Sequence, residues 1–167
     1  MTPSSKAPRI TAMSKVLAVI GGATLAASLA SGVAGAQPPD TGLDAYTPVD
    51  WTEYLVDDMN YYGSVFFQIP DGRMCGMYTN SGHVGCDAVP IDAPEGTNQV
   101  RAAVFEPGNY RYAEAPGFTV PGGQKVLPEG HKITLQNNTC GVGYQGAVAC
   151  ESSEHGFVIA STYGVIW

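Results

Sequence analysis

The chain has 167 residues, of which 44% are hydrophobic, and its 8 basic and 15 acidic side chains give a net charge of −7. This charge balance argues against a nucleic-acid partner, because binding to a phosphate backbone depends on Lys and Arg side chains that displace counterions.

Residues 1–36 have the parts of an export signal. A positively charged segment precedes an apolar run at residues 16–30, and Ala34–Ala36 (AGA) has the small-residue pattern of a signal-peptidase site. The run is shorter than the roughly 20 residues that a membrane span needs, so cleavage before Gln37 is expected. Cleavage would leave 131 of the 167 residues, with five basic and fifteen acidic side chains and a net charge of −10. We therefore predict one secreted or cell-envelope domain with no membrane span.

The segment 37–63 is acidic and contains proline. Residues 37–49 have little to bury and are expected to form a loose arm. Asp50 and Glu53 have the spacing of a capping box, so a short helix is expected to begin there. The side chains expected to face the core recur at helical spacing and are Trp51, Tyr54, Leu55, Met59 and Tyr62. The alternative is an aromatic docking face made of Trp51, Tyr54, Tyr61 and Tyr62.

Residues 64–167 consist of short β-branched and aromatic runs separated by Gly and Pro. This pattern predicts an all-β domain, a small antiparallel sandwich or barrel. The expected strands are Ser64–Ile69, Arg73–Tyr78, His83–Ala88, Gln99–Phe105, Tyr110–Tyr112, His131–Gln136, Thr139–Tyr144, Ala147–Glu151, Gly156–Ala160 and Tyr163–Trp167. The longest expected loop, residues 116–130, is a candidate binding site because of its length.

Two cysteine-bracketed segments, Cys75–Cys86 (CGMYTNSGHVGC) and Cys140–Cys150 (CGVGYQGAVAC), are near copies of each other. Four cysteines in an exported chain are expected to be oxidised, with three possible connectivities. If each pair faces itself across a hairpin, the loops are Thr79–Gly82 and Tyr144–Gly146, and both have suitable turn residues. We predict these two hairpin disulfides; a swapped pairing that joins the hairpins is the alternative.

The chain resembles a group of small exported proteins of actinobacteria, especially mycobacteria, that are labelled as a domain of unknown function. The resemblance lies in Phe67–Cys75 (FQIPDGRMC), Leu127–Gly130 (LPEG) and His155–Ala160 (HGFVIA), together with the four cysteines, and covers most of residues 66–167. It implies a cell-envelope or secreted location and supports the hairpin disulfides. It lends no activity and no functional residue.

Catalytic and metal-binding patterns are weak in this chain. His83, His131 and His155 lack the spacing of metal ligands, so no metal site and no cofactor are predicted. The mature chain has no nucleophile elbow, and its thiols are expected to be in disulfides. His155 is the most plausible catalytic or ligating histidine, because Glu151 and Glu154 are close in sequence.

Three functional hypotheses follow. The preferred one is a non-enzymatic binding module whose rigid hairpin tips contact an envelope component, either a glycan or a protein, since rigid loops lose little entropy on binding. The tip residues are Asn80, Ser81, His83, Tyr144 and Gln145. One alternative is a secreted hydrolase that uses a carboxylate or His155. The other is a protease-inhibitor-like protein that presents a disulfide-braced loop.

Overall fold

Short strands and 3₁₀-helices form the regular structure of the residues that the computed structural model describes, 38–56, 59–80 and 82–167. The strands are β1 (Thr47–Pro48), β2 (Val65–Gln68), β3 (Met74–Met77), β4 (Val84–Cys86), β5 (Gln99–Ala103), β6 (Glu106–Arg111), β7 (His131–Leu135), β8 (Asn138–Val142), β9 (Val148–Ser152), β10 (His155–Ile159) and β11 (Gly164–Ile166). The 3₁₀-helices are Leu43–Ala45, Trp51–Tyr54, Met59–Tyr61 and Tyr144–Gly146. The expected export signal and Gln37 lie outside the described residues. No helix within the described ranges has the length and apolar character needed to cross a membrane.

The strands form two sheets that are antiparallel except at one edge. Six strands lie in the order β1-β7-β8-β9-β10-β11, and five lie in the order β2-β3-β4-β5-β6. The exception is β1, which pairs in parallel with β7. The predicted all-β fold is confirmed, and each of the ten expected strands overlaps one of β2 to β11.

The core lies between the sheets, because alternate side chains of each strand point to one face. Val65 and Phe67 of the five-stranded sheet are fully buried in the same cluster as Ile133 and Phe157 of the six-stranded sheet. All four cysteines belong to this cluster. Both hairpins therefore turn their disulfides inward, and one shared core joins the two sheets.

A glycine follows the first cysteine of each hairpin because an apolar side chain covers the outer face of the strand there. A Cβ atom on Gly76 would lie 2.4 Å from Cδ1 of Phe66, and one on Gly141 would lie 2.5 Å from Cδ2 of Leu43. Both distances are far below van der Waals contact. The repeated Cys-Gly pattern thus reflects two outer faces that each pack closely under another segment.

The segment 116–130, expected as a candidate binding loop, covers the outer face of the five-stranded sheet. Phe118 is buried against Phe66 in a second, smaller hydrophobic cluster. Asp87 fixes the start of the segment by accepting hydrogen bonds from the amides of Gly117 and Phe118 at 2.9 and 2.8 Å. These contacts give the segment a structural role.

The N-terminal segment is tied to the sheets, although it was expected to be a loose arm followed by a short helix. Tyr54 is buried, and Asp50 caps the 3₁₀-helix Trp51–Tyr54 by accepting a backbone hydrogen bond at 2.9 Å. Glu53 pairs with Lys125, and among the described residues no hydrogen bond from Glu53 back to Asp50 completes the expected capping box. Residues 57 and 58 lie outside the described residues.

Candidate functional site

Both hairpins have the predicted register. Cys75 lies opposite Cys86 and Cys140 lies opposite Cys150, with Cα separations of 4.0 and 4.1 Å. Each facing pair forms a disulfide, because directly opposed antiparallel residues bring their Cβ atoms close enough for the two sulfur atoms to bond. Pairing within each hairpin is confirmed, and the swapped alternative is not formed.

The two hairpin tips lie at opposite ends of the sandwich. The carbonyl of Gly82, in the β3–β4 tip, accepts a hydrogen bond of 2.9 Å from Oγ of Ser152, the last residue of β9. The other tip, Tyr144–Gly146, lies just before β9, and only its C-cap residue Ala147 separates it from the strand. The whole length of β9 therefore lies between the two tips, a distance of about 15 Å. The expected binding residues are therefore divided: Asn80 and His83 lie at one end, and Tyr144 and Gln145 lie at the other. They do not form one site.

Side chains from two other turns hold the β8–β9 tip. Arg73 donates from Nη2 to the Gly146 carbonyl at 2.6 Å, and the Gly146 amide donates to Glu129 at 3.0 Å. Asp71 fixes Arg73 in turn with hydrogen bonds of 2.7 and 2.9 Å. Burial would raise the pKa of Asp71, but the hydrogen bonds from Arg73 hold it below its ordinary value. Tyr144, which is 80% exposed, projects from this fixed support.

The backbone of the β8–β9 tip does not have the form that the inhibitor hypothesis needs. An inhibitor loop that pairs with its partner as an added strand needs an extended backbone. The tip is a 3₁₀ turn in which Gln145 has a left-handed conformation, with φ of 56°. It can present Tyr144 to a surface, but it does not offer an extended strand.

At the opposite end, three turns enclose a depression of about 200 Å³, which we call the end notch. Its walls are the β3–β4 tip, the β5–β6 turn and the β7–β8 turn. Its lining residues are Thr79, Asn80, Gly82, Val104, Phe105, Gln136, Asn137 and Asn138. All of these side chains are uncharged at neutral pH. Ser81, which was expected to bind, belongs to the same tip as Asn80 but lies outside the described residues.

The end notch has hydrogen-bonding groups that the described part of the chain does not use. Asn138 is only 2% exposed, and its Oδ1 atom is buried without a hydrogen-bond partner among the described residues. The side-chain amides of Asn80, Gln136 and Asn137 also make no hydrogen bond to a described residue. A buried acceptor without a donor costs about 1 to 3 kcal/mol.

Phe105 gives the end notch an aromatic rim. It lies in the β5–β6 turn and is 96% exposed. Its neighbour Val104 lines the notch as well and lies against the β3–β4 tip, since a Cβ atom on Gly82 would be 3.0 Å from Cγ2 of Val104. The lining of the notch therefore combines an apolar part with amide side chains.

An ionic cluster supports the β3–β4 tip beside the end notch. Arg101 donates from Nη2 to Glu106 at 2.8 Å and contacts Nε2 of His83. Burial lowers the pKa of His83, and the charge of Arg101 lowers it further. Because a guanidinium group can only donate, Nε2 of His83 acts as the acceptor in this contact. The His83 ring is thus used in this contact and is not a free catalytic base.

The structure gives little support to the hydrolase hypothesis. His155 begins β10 opposite Ser152, and no acidic side chain in the described ranges forms a hydrogen bond with it. Within those same ranges, no group of three or more His, Cys, Asp or Glu residues could hold a metal ion. His83 contacts Arg101, and His131 contacts the carbonyl of Glu129, so neither is paired with a hydroxyl nucleophile.

The aromatic stripe of the N-terminal segment is divided between the core and the surface. Tyr54 is buried, and Tyr61 packs edge-on against Phe66 with ring centroids 5.2 Å apart. Trp51 and Tyr62 are exposed and line an apolar groove of about 460 Å³ together with Leu55, Val56 and Gly63. The groove borders residues outside the described ranges, and nothing in the described part of the chain indicates what would cover it.

Sequence reasoning missed Phe105 and Asn138 as site residues. Phe105 ends the expected strand Gln99–Phe105, and Asn137 and Asn138 lie between two expected strands, so neither was singled out as a binding residue. An apolar residue directly before Glu-Pro-Gly is the signal that could have indicated an exposed aromatic turn. The chain matches no protein-family model, no curated protein and no solved structure.

Proposed function

We propose that the protein is an exported, non-enzymatic binding module and that its ligand site is the end notch. The observation that carries this proposal is the arrangement of three turns around an uncharged depression with an exposed aromatic ring at the rim. Turns placed on a rigid two-sheet scaffold lose little entropy when a ligand docks. Asn80, one of the expected binding residues, belongs to this site.

The proposed location is the cell envelope or the medium outside the cell. Residues 1–36 have the pattern of an export signal. The two disulfides fit an oxidising compartment, where such bonds persist. The resemblance to small exported actinobacterial proteins points the same way. The proposed partner is an envelope component, either a glycan or a protein.

The test is retention of the purified protein by cell-envelope material from the organism that makes it. Phe105→Ala removes the aromatic rim. We expect it to weaken retention by about tenfold, which is the effect of losing one aromatic side chain that the bound ligand would bury. Tyr112→Ala is the matched control. Tyr112 is an aromatic residue that is 69% exposed and follows β6 at its other end, away from the notch. Its replacement is expected to leave retention unchanged.

Two results would overturn the proposal. One is equal retention of Phe105→Ala and the unmodified protein. The other is turnover of a glycan, peptide or ester substrate by the purified protein that is abolished by His155→Ala, because the hydrolase hypothesis would then replace the binding module. Tyr144→Ala in the same assay shows whether the other hairpin tip contributes to retention.

A further inference from the structure

We infer that the ligand of the end notch is an uncharged, hydroxyl-rich glycan, an inference that rests on the proposed function. The notch is lined by amide, hydroxyl and apolar side chains, and none of these carries a charge. An anionic or cationic ligand would find no counter-charge among these lining side chains, which is unfavourable. A neutral ligand avoids this cost.

The amide side chains match the chemistry of sugar hydroxyl groups. Each amide has two N–H donors and a carbonyl acceptor, and each hydroxyl group likewise both donates and accepts. Asn80, Gln136 and Asn137 have side-chain amides that are free of hydrogen bonds to described residues. Three such groups around one depression can each pair with an adjacent hydroxyl group of a sugar ring.

Asn138 sets a stricter requirement. Its Oδ1 atom is buried and has no hydrogen-bond partner in the described part of the chain, and a ligand hydroxyl group that reaches it would supply the missing donor. A site built to accept a hydrogen bond discriminates strongly against ligands that lack the donor. We assign Asn138 as the specificity-determining residue of the notch.

The aromatic rim and the size of the notch favour a sugar over a peptide. The ring of Phe105 and the side chain of Val104 form an apolar wall that suits the C–H face of a sugar ring. The depression of about 200 Å³ has room for a single sugar ring. Extended peptides commonly add to an open sheet edge, whereas the notch lies among turns at the end of the strands.

The first experiment distinguishes a glycan from a protein ligand. Envelope material is treated with periodate, which cleaves bonds between adjacent hydroxyl-bearing carbons, or with protease, and retention of the purified protein is then measured. We expect periodate to reduce retention by about tenfold or more and protease to leave it unchanged. Loss of retention after protease but not after periodate would show a protein ligand and would overturn the inference.

The second experiment tests Asn138 with a readout that separates binding from folding. Asn138→Leu replaces the unpaired amide with an apolar group of similar size, and such a change can leave stability unchanged or raise it. We expect unchanged Tm and about tenfold weaker retention. If this variant does not fold, the double variant Asn80→Ala, Gln136→Ala tests the amide lining of the notch instead, with an expected loss of similar size. Unaltered retention in a folded variant of either kind would contradict the inference.

The two proposals fail in different ways. If Phe105→Ala leaves retention unchanged, the end notch is not the ligand site and the proposed function is lost. If Phe105→Ala weakens retention but periodate does not, the site stands and only its glycan chemistry is wrong.

Discussion

The two disulfide hairpins have almost the same local pattern and very different surroundings. Each begins with Cys-Gly, pairs its cysteines directly across the strands and buries them in the shared core. The β8–β9 tip is clamped through both backbone polar groups of Gly146 and projects Tyr144 into solvent. The β3–β4 tip lies beside two other turns and forms one wall of the end notch.

This difference shows which level of the structure determines each property. The repeated pattern determines the hairpin, its register and its disulfide, because all three depend on residues close in sequence. The order of the strands in the two sheets determines the surroundings of each tip. One tip is therefore a single projecting residue, and the other is part of a depression that can surround a ligand.

The largest effect is expected when each disulfide is removed in turn by replacing both of its cysteines with alanine. The bridges span 11 and 10 residues, so loop closure alone predicts nearly equal losses of unfolding free energy, about 2 to 3 kcal/mol each. Urea unfolding of the two double variants measures these losses. A difference of more than about 1 kcal/mol would mean that the surroundings of the hairpins, and not their similar loops, dominate the contribution of each bridge.

An intermediate loss of stability is expected when the clamp on the β8–β9 tip, formed by Arg73 and Glu129, is weakened. Arg73→Ala removes the donor to the Gly146 carbonyl and the partner of Asp71. Since the Arg73 side chain is only 17% exposed, we expect a loss of about 1 kcal/mol and faster hydrogen exchange of the Gly146 amide. Retention by envelope material should be unchanged, because the clamp is at the other end from the notch.

Lys125→Ala is the matched control for this charge removal. Lys125 also pairs with a carboxylate, that of Glu53, but its side chain is 48% exposed. Exposed ion pairs contribute little to stability, so the variant should unfold with nearly the same midpoint as the unmodified protein. If it is destabilised as much as Arg73→Ala, the clamp has no special role.

Much of the fold could be predicted from sequence, because its strands and hairpins form between residues that are close in sequence. Short runs of β-branched and aromatic residues separated by Gly and Pro located all ten strands from β2 to β11. The strand expected at Tyr110–Tyr112 begins earlier, at Glu106, and includes Pro107 and Gly108, which disfavour a strand interior. In fact β6 is an edge strand, where proline is tolerated, and Gly108 allows a close approach to the carbonyl of Gly156.

The candidate site could be predicted only in part. Asn80 was identified from the hairpin tip, but the notch also needs Phe105 and Asn138, which lie in turns of other hairpins. Their approach depends on the packing of the two sheets, which is not encoded in any one segment. The same holds for the segment 116–130: its length suggested a binding loop, whereas hydrogen bonds to Asp87 make it a cover for the sheet.

The smallest expected effect concerns the ionic cluster beside the notch. Burial and the charge of Arg101 lower the pKa of His83 below its ordinary value of 6.5. The unfolded chain therefore takes up a proton at a higher pH than the folded chain does. Stability should be fully present above about pH 6.5 and should fall as the pH is lowered through this value, until the folded protein also protonates.

Two carboxylates, those of Glu106 and Asp71, lose their contribution to stability only at lower pH than His83 does. Burial raises the pKa of Glu106, but hydrogen bonds from Arg101 and Asn109 lower it below the ordinary value of 4.5, and Asp71 is held below 3.8. The stability that these carboxylates contribute is present above those values and is lost as the pH falls below them. A decline between pH 7 and 5 can therefore be attributed to His83 separately.

His83→Gln should remove that decline, measured as the urea midpoint at pH 7 and pH 5. Glu106→Gln is the complementary variant. The charge of Glu106 raises the pKa of His83, so its removal should lower this pKa further and extend the decline to lower pH. An unchanged pH dependence in His83→Gln would show that the cluster does not couple to folding in this range. Tyr144→Ala, at the other tip, should retain the full decline, because Tyr144 lies about 15 Å away along β9.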